Sequence, residues 1–113
     1  MAKQELEFFD PEATGRWFHP EGYPEGIENL IIAECPKTGM RTLLSRWAPG
    51  YRELDVLEHD YWEEIYIIEG DMYVGENTYT AGMAAVRPPH MIHGPFGSVN
   101  GCKIFVVFYQ AVQ

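Results

Sequence analysis

The chain has 113 residues, 46% of them hydrophobic and 14% aromatic, enough for one domain with a real core and too few for two. Eight Lys and Arg stand against 17 Asp and Glu, a net charge of −9, which excludes the clustered cations that nucleic acid or an anionic membrane surface demands. No apolar run approaches bilayer length, and Leu6, Phe8 and Phe9 are too interrupted for a signal-peptide core, so the expected location is the cytoplasm.

In chain order, residues 1–26 come first and differ from the rest. Pro11, Pro20, Pro24 and three glycines argue against helix, while Phe8, Phe9, Trp17, Phe18 and Tyr23 argue against a free tail. This segment is read as an irregular arm, with one strand at most, packing on its own barrel or on a partner subunit. Exchange of such an arm is a common route to a homodimer, the expected assembly.

From residue 27 to 113 the pattern is strand, turn, strand. Ile27–Ala33, Met40–Trp47, Glu64–Glu69, Met72–Val74, Met83–Arg87 and Cys102–Tyr109 are short runs rich in β-branched and aromatic residues. Pro36–Gly39, Pro49–Gly50, Gly70–Asp71, Gly75–Asn77, Pro88–Pro89 and Gly97–Gly101 supply turns between them. Short strands without alternating helices predict an all-β fold, a small antiparallel β-barrel or sandwich. Tyr66, Ile68 and Val74 are expected on the outside of the sheet.

Residues 51–64 also fit an amphipathic helix, with Leu54, Leu57 and Tyr61 on one face and His59 and Glu63 one turn apart. It would be the only helix, and no capping residue precedes it at Pro49-Gly50, so strand is the preferred reading. Cys35 and Cys102 could form one bridge, but no CxxC or paired zinc spacing is present. Cys102 opens an apolar run as a buried thiol would, and no neighbouring charge marks either cysteine as a nucleophile.

The pattern that carries chemistry is His59-x3-Glu63-x6-Gly70 followed by Gly82-x5-Pro88-x4-His93. Two imidazoles and a carboxylate occupy three corners of a metal's coordination shell and leave others open for water or substrate. Side chains at i and i+2 of a strand share a face, so Leu57 and His59 should both point inward, with Glu63, Ile65 and Ile67 on the next strand. An unpaired Glu63 in an apolar interior is costly, and a divalent ion offsets that cost. Taken alone, His59 and Glu63 would be an ordinary hydrogen-bonded pair; His93 in register tips the balance to metal.

These motifs resemble the cupins, and the phrases Glu63–Gly70 and Arg87–Pro95 resemble especially the ChrR-like branch. His59 matches the second histidine of the first cupin motif, Glu63 its glutamate and Gly70 its closing glycine; Gly82, Pro88 and His93 match the second motif. There are four departures. Leu57 stands where the first metal histidine belongs, the gap from Gly50 is one residue longer, His90 replaces a glycine, and Gly97 replaces the final asparagine.

The resemblance implies a jelly-roll (double-stranded β-helix) barrel. It implies a metal held by His59, Glu63 and His93, with Fe(II) the first expectation and Zn, Mn or Ni the others. The implied activity is a dioxygenase-type or Lewis-acid reaction (isomerase, decarboxylase or cyclase) on a small oxygenated organic substrate. The alternative is a non-catalytic binding or sensor barrel with a degenerate metal site, since Leu57 is either simple wall packing or a coordination position opened for substrate. His90 is a turn residue or an acid or base at the barrel mouth. Arg46 is an outward snorkelling arginine or a substrate anchor. Tyr61 and Trp62 are expected to line the rim of the pocket.

Overall fold

The computed structural model of the chain describes residues 3–92 and 94–110. Eight strands follow one another: β1 (Ile27–Glu34), β2 (Arg41–Trp47), β3 (Arg52–Glu53), β4 (Trp62–Val74), β5 (Asn77–Thr80), β6 (Ala84–Arg87), β7 (Phe96–Gly97) and β8 (Cys102–Tyr109). They form one antiparallel sheet in the order β1-β2-β8-β4-β7-β3, with β5 and β6 both pairing on β4. Among the described residues no helix is long and apolar enough to cross a membrane, and none forms over residues 51–64; the strand preferred there is present only at Arg52–Glu53 and from Trp62 onward, while residues 54–61, with Leu57 and His59, are irregular chain between β3 and β4.

Period-two burial drives the curl. On β8, Cys102, Ile104 and Val106 are buried while Lys103, Phe105 and Val107 are only partly covered. On β4, Ile65 and Ile67 go in, and Glu64, Tyr66 and Ile68 face out, as their spacing predicts. The inward residues meet Leu43, Trp47, Tyr51 and Met72 in a single core, with Val74, Phe96 and Phe108 packed against it. Each such side chain contributes about 1.5–3 kcal/mol on burial.

Three expectations change. Gly70-Asp71 does not reverse the chain; β4 runs straight through it as one 13-residue strand. The register against β8 slips between Ile67 and Glu69, and the slip moves the inward face from Ile65 and Ile67 to Met72. Gly70 serves that bend with φ +85°, and a Cβ there would lie 2.0 Å from the Gly101 carbonyl oxygen, so the position accepts only glycine. Val74 turns toward the core rather than outward. Asn77–Thr80, read as the end of a turn and unassigned chain, forms β5, exposed throughout and held by its pairing with β4.

The arm packs on its own sheet. Asp10 caps one turn of 3-10 helix over Pro11–Thr14 by accepting the Glu12 N–H, and Glu12 then pairs with Lys103 on β8 at 3.1 Å. Phe18 bridges Asn29 of β1, and Trp17 lies under the Arg46 guanidinium at 4.0 Å. Cys35 and Cys102 are both free thiols. Burial pushes the Cys102 thiol up to about 12. The Cys35 thiol is instead lowered, chiefly by its hydrogen bond with the Thr38 side chain, a contact that sequence reading did not anticipate.

Candidate metal and substrate site

The strands' two ends differ, and one of them opens into a cavity of about 150 Å³ inside the sheet. Leu57, His59, Tyr61, Glu63, Arg87 and Phe108 line one side; Tyr23, Asn29, Arg41, Leu43 and Ser45 line the other. The strand arithmetic explains the placement. Glu63 stands opposite Arg87 on β6 and opposite Phe108 on β8, and the same inward parity carries on through Ile65.

His59 is held from three sides. Its Nδ1 lies 3.0 Å from the Tyr61 carbonyl oxygen, which can only accept, so Nδ1 carries the proton. Its ring stacks on Tyr61 at 4.1 Å with 4° between planes, and Phe108 meets both rings edge-on. The remaining nitrogen, Nε2, faces Glu63 Oε1 at 3.6 Å, with the two side chains only 17% and 13% exposed. A ring nitrogen fixed by a carbonyl on one side, with its partner nitrogen turned to a carboxylate, is the orientation a metal-ligating imidazole takes. The His59–Glu63 pair therefore fits a divalent ion.

Arg87 completes this wall. Its guanidinium is 12% exposed and donates to Glu63 Oε1 at 3.3 Å, partly offsetting the cost of a carboxylate in an apolar cavity. Burial first, and then the Glu63 charge, raise the Tyr61 phenol above its ordinary range. Tyr23 is raised for the same two reasons. Its loop is tied down by His19, whose ring nitrogens lie 3.0 and 2.9 Å from the carbonyl oxygens of Ile27 and Tyr23.

Of the residues singled out from sequence, Leu57, His59, Tyr61 and Glu63 come together around the cavity. His93 lies outside the described residues, among which no three His, Cys, Asp or Glu side chains form a metal-binding group. Arg46 points to the outer face, paired with Glu28 at 2.8 Å and stacked on Trp17. Trp62 stacks on Tyr109 and does not line the cavity. His90 is exposed at the rim, its Nδ1 3.3 Å from Glu58 and its N–H donating to the His59 carbonyl at 2.7 Å. It holds φ +65°, so the histidine replacing the family's glycine keeps the left-handed turn that glycine favours.

Sequence reasoning passed over Arg41, Arg87, Asn29 and Tyr23. Parity carried a signal for the two arginines: Arg41 shares a face with Leu43 and Ser45, and Arg87 with Ala85. Nothing local marked Asn29 or Tyr23, which reach the cavity only through the β1–β2 pairing and the folded-back arm.

Solved structures of similar shape exist, and no curated protein matches the chain. An RmlC-like cupin from Shewanella frigidimarina superposes with a TM-score of 0.73 at 20% identity, covering 100% of this chain and 97% of the other. An acetylacetone dioxygenase from Acinetobacter johnsonii gives 0.74 at 19% identity over 96% and 74% of the two chains. KdgF from a Halomonas species gives 0.72 at 19% identity over 95% and 96%. At such identities these likenesses concern the fold. The family model for the ChrR cupin-like domain matches residues 13–112, nearly the whole chain including the later part of the arm. The inward His59–Glu63 pair thus sits in a chain that belongs to the ChrR cupin-like family.

Proposed function

We propose that this chain is a metal-dependent cupin enzyme acting on a small oxygenated organic compound such as a diketone, enol or phenolic acid. The observation that carries this reading is the His59 Nε2–Glu63 Oε1 pair, 3.6 Å apart on a cavity wall, with Nδ1 committed to the Tyr61 carbonyl. His59 and Glu63 hold the ion, and His93 is the third ligand in this reading. A bound divalent ion supplies Lewis acidity to a substrate oxygen and, as Fe(II), access to dioxygen chemistry.

The other residues have roles that do not pass through the ion. Arg87 fixes the Glu63 carboxylate, Tyr61 and Phe108 hold the His59 ring plane, and the Tyr61 O–H is a hydrogen-bond donor for a substrate oxygen. Ile65, Met72 and Val106 keep the inner part of the cavity apolar. Similarity to an acetylacetone dioxygenase supports the dioxygenase-type version without deciding it.

Elemental analysis of the purified protein tests the reading. Wild type should carry close to one equivalent of a transition metal, and Glu63→Gln and His93→Ala should lose it while keeping a cooperative unfolding transition. A wild-type protein that takes up no metal when Fe(II), Mn(II), Ni(II) and Zn(II) are offered would overturn it. Oxygen uptake by the Fe(II)-loaded protein across diketones and catechols then separates the dioxygenase version from the Lewis-acid one.

A second reading has two observations in its favour. Leu57 lines the cavity at the position of the family's first metal histidine, and Arg87 already pairs with Glu63. A non-catalytic binding barrel would show ligand binding that survives chelation, with no turnover.

A further inference from the structure

The part of the cavity wall contributed by β1 and β2 has its own chemistry. Arg41 faces inward with Leu43 and Ser45 and lines the same cavity. By strand register it stands level with Phe108 and, one strand further, with Glu63. Two strand spacings separate their backbones by roughly 10 Å, a span that a small bifunctional molecule bridges.

Arg41 and Arg87 use their charge differently. Arg87 is committed to Glu63 inside the cavity. Among the described residues Arg41 has one ion pair, with Glu34 at 3.8 Å on the rim, where the side chains are 40% and 44% exposed. Such a contact is weak and easily displaced. The side chain nonetheless lines the cavity, on the same face of β2 as Leu43 and Ser45.

Further along the same wall, Asn29 stands opposite Ser45, and its Oδ1 is buried with no hydrogen-bond partner among the described residues. A buried acceptor left unmatched is costly, and a donor carried by a ligand would relieve it. At about 150 Å³ the cavity matches the size that takes a benzene-sized molecule, too small for a nucleotide or an oligosaccharide. A single guanidinium with only a weak, displaceable partner favours a planar monoanion, whereas the second charge of a phosphate dianion would add to the repulsion from Glu63 in the same cavity.

We propose that the cavity takes a small hydroxylated organic acid, its carboxylate on Arg41 and its hydroxyl on Asn29, with the remainder directed toward the His59–Glu63 wall. This rests on the reading that the cavity is the substrate site, and it is independent of whether a metal is bound.

The test uses the full chain stripped of metal, with 3-hydroxybenzoate, 3-hydroxybenzamide and benzoate as calorimetric probes. The hydroxy acid should bind about tenfold tighter than its neutral amide, the margin of a charge-assisted contact. Arg41→Gln should abolish that preference and Arg41→Lys retain part of it. Asn29→Ala should bring 3-hydroxybenzoate down to the level of benzoate. Unfolding midpoints identify any variant that has lost its fold, and the wild-type acid-to-amide ratio stands without them. Equal binding of acid and amide, an acid preference that survives Arg41→Gln, or no binding of any probe would overturn the proposal. None of these outcomes depends on metal content, so they are separable from a failure of the metal reading.

Discussion

The two ends of the same strands are built in opposite ways. At the closed end, where β4 meets the loop before β8, polar groups are matched at short range. Asp71 accepts from the Val99 N–H at 2.8 Å, the Asn100 N–H at 3.1 Å and the Ser98 hydroxyl at 3.2 Å; Ser98 Oγ in turn accepts the Gly101 N–H at 2.8 Å. Gly97 lies so close to the Tyr51 carbonyl and the Tyr73 ring that no Cβ fits. At the open end, His59, Glu63, Arg87 and Arg41 meet charged partners at 3.3 to 3.8 Å around a cavity. One end is thus tied together by short hydrogen bonds around Asp71 and Ser98, whereas the other sets longer charged contacts around a cavity.

The sharpest way to break this contrast is Gly70→Ala. A Cβ would fall 2.0 Å from the Gly101 carbonyl oxygen and 2.7 Å from the Cys102 Cα, both backbone, at φ +85°. We expect a loss of about 3 kcal/mol or more in a denaturant titration, or failure to fold.

Asp71→Asn should cost less, about 1 kcal/mol, because the site is solvent-accessible and only part of the hydrogen bonding is charge-assisted. Burial pushes the Asp71 carboxyl up, but the hydrogen bonds from Val99, Asn100 and Ser98 outweigh it and hold it below the ordinary carboxylate value. A depressed carboxyl adds stability above its unfolded value, and that addition is lost as pH falls through the folded one. The wild-type advantage over Asp71→Asn should therefore be present at neutral pH and shrink below about pH 4, which unfolding curves across pH would show.

At the open end the larger readout is metal content. Glu63→Gln should remove metal retention, and because it strips the charged partner from the largely buried Arg87 it should also cost about 1–3 kcal/mol, read as unfolding midpoint against metal content. One further substitution sharpens the comparison most. Leu57→His adds an imidazole to the wall, and a chain that binds metal through His59 and Glu63 should then lose it more slowly to a chelator. An unchanged rate would mean that position 57 does not reach the ion.

Much of the fold was legible because burial repeats every second residue. Cys102–Tyr109 was bounded correctly from its run of β-branched and aromatic residues, and Ile65, Ile67 and Tyr66 take the faces their period-two spacing assigns. The turn expected at Gly70-Asp71 was misread because glycine at a positive φ serves a bulge as well as a reversal. On the site, Leu57, His59, Tyr61 and Glu63 were found by spacing and resemblance. Arg46 drew attention in place of Arg41 because it sits among apolar neighbours, although strand parity turns it outward onto Trp17.

The sequence by itself determined the all-β class, the inward placement of Ile65 and Ile67 on β4, and the candidate pair His59 and Glu63, since these follow from the composition of short runs, local periodicity and short spacing. Only the tertiary structure decided that Arg87 would neutralise Glu63, that Asn29 and Arg41 would face that pair, and that Tyr23 would close the wall. Those contacts join residues far apart in the chain, and strand register with the curl of the sheet brings them together.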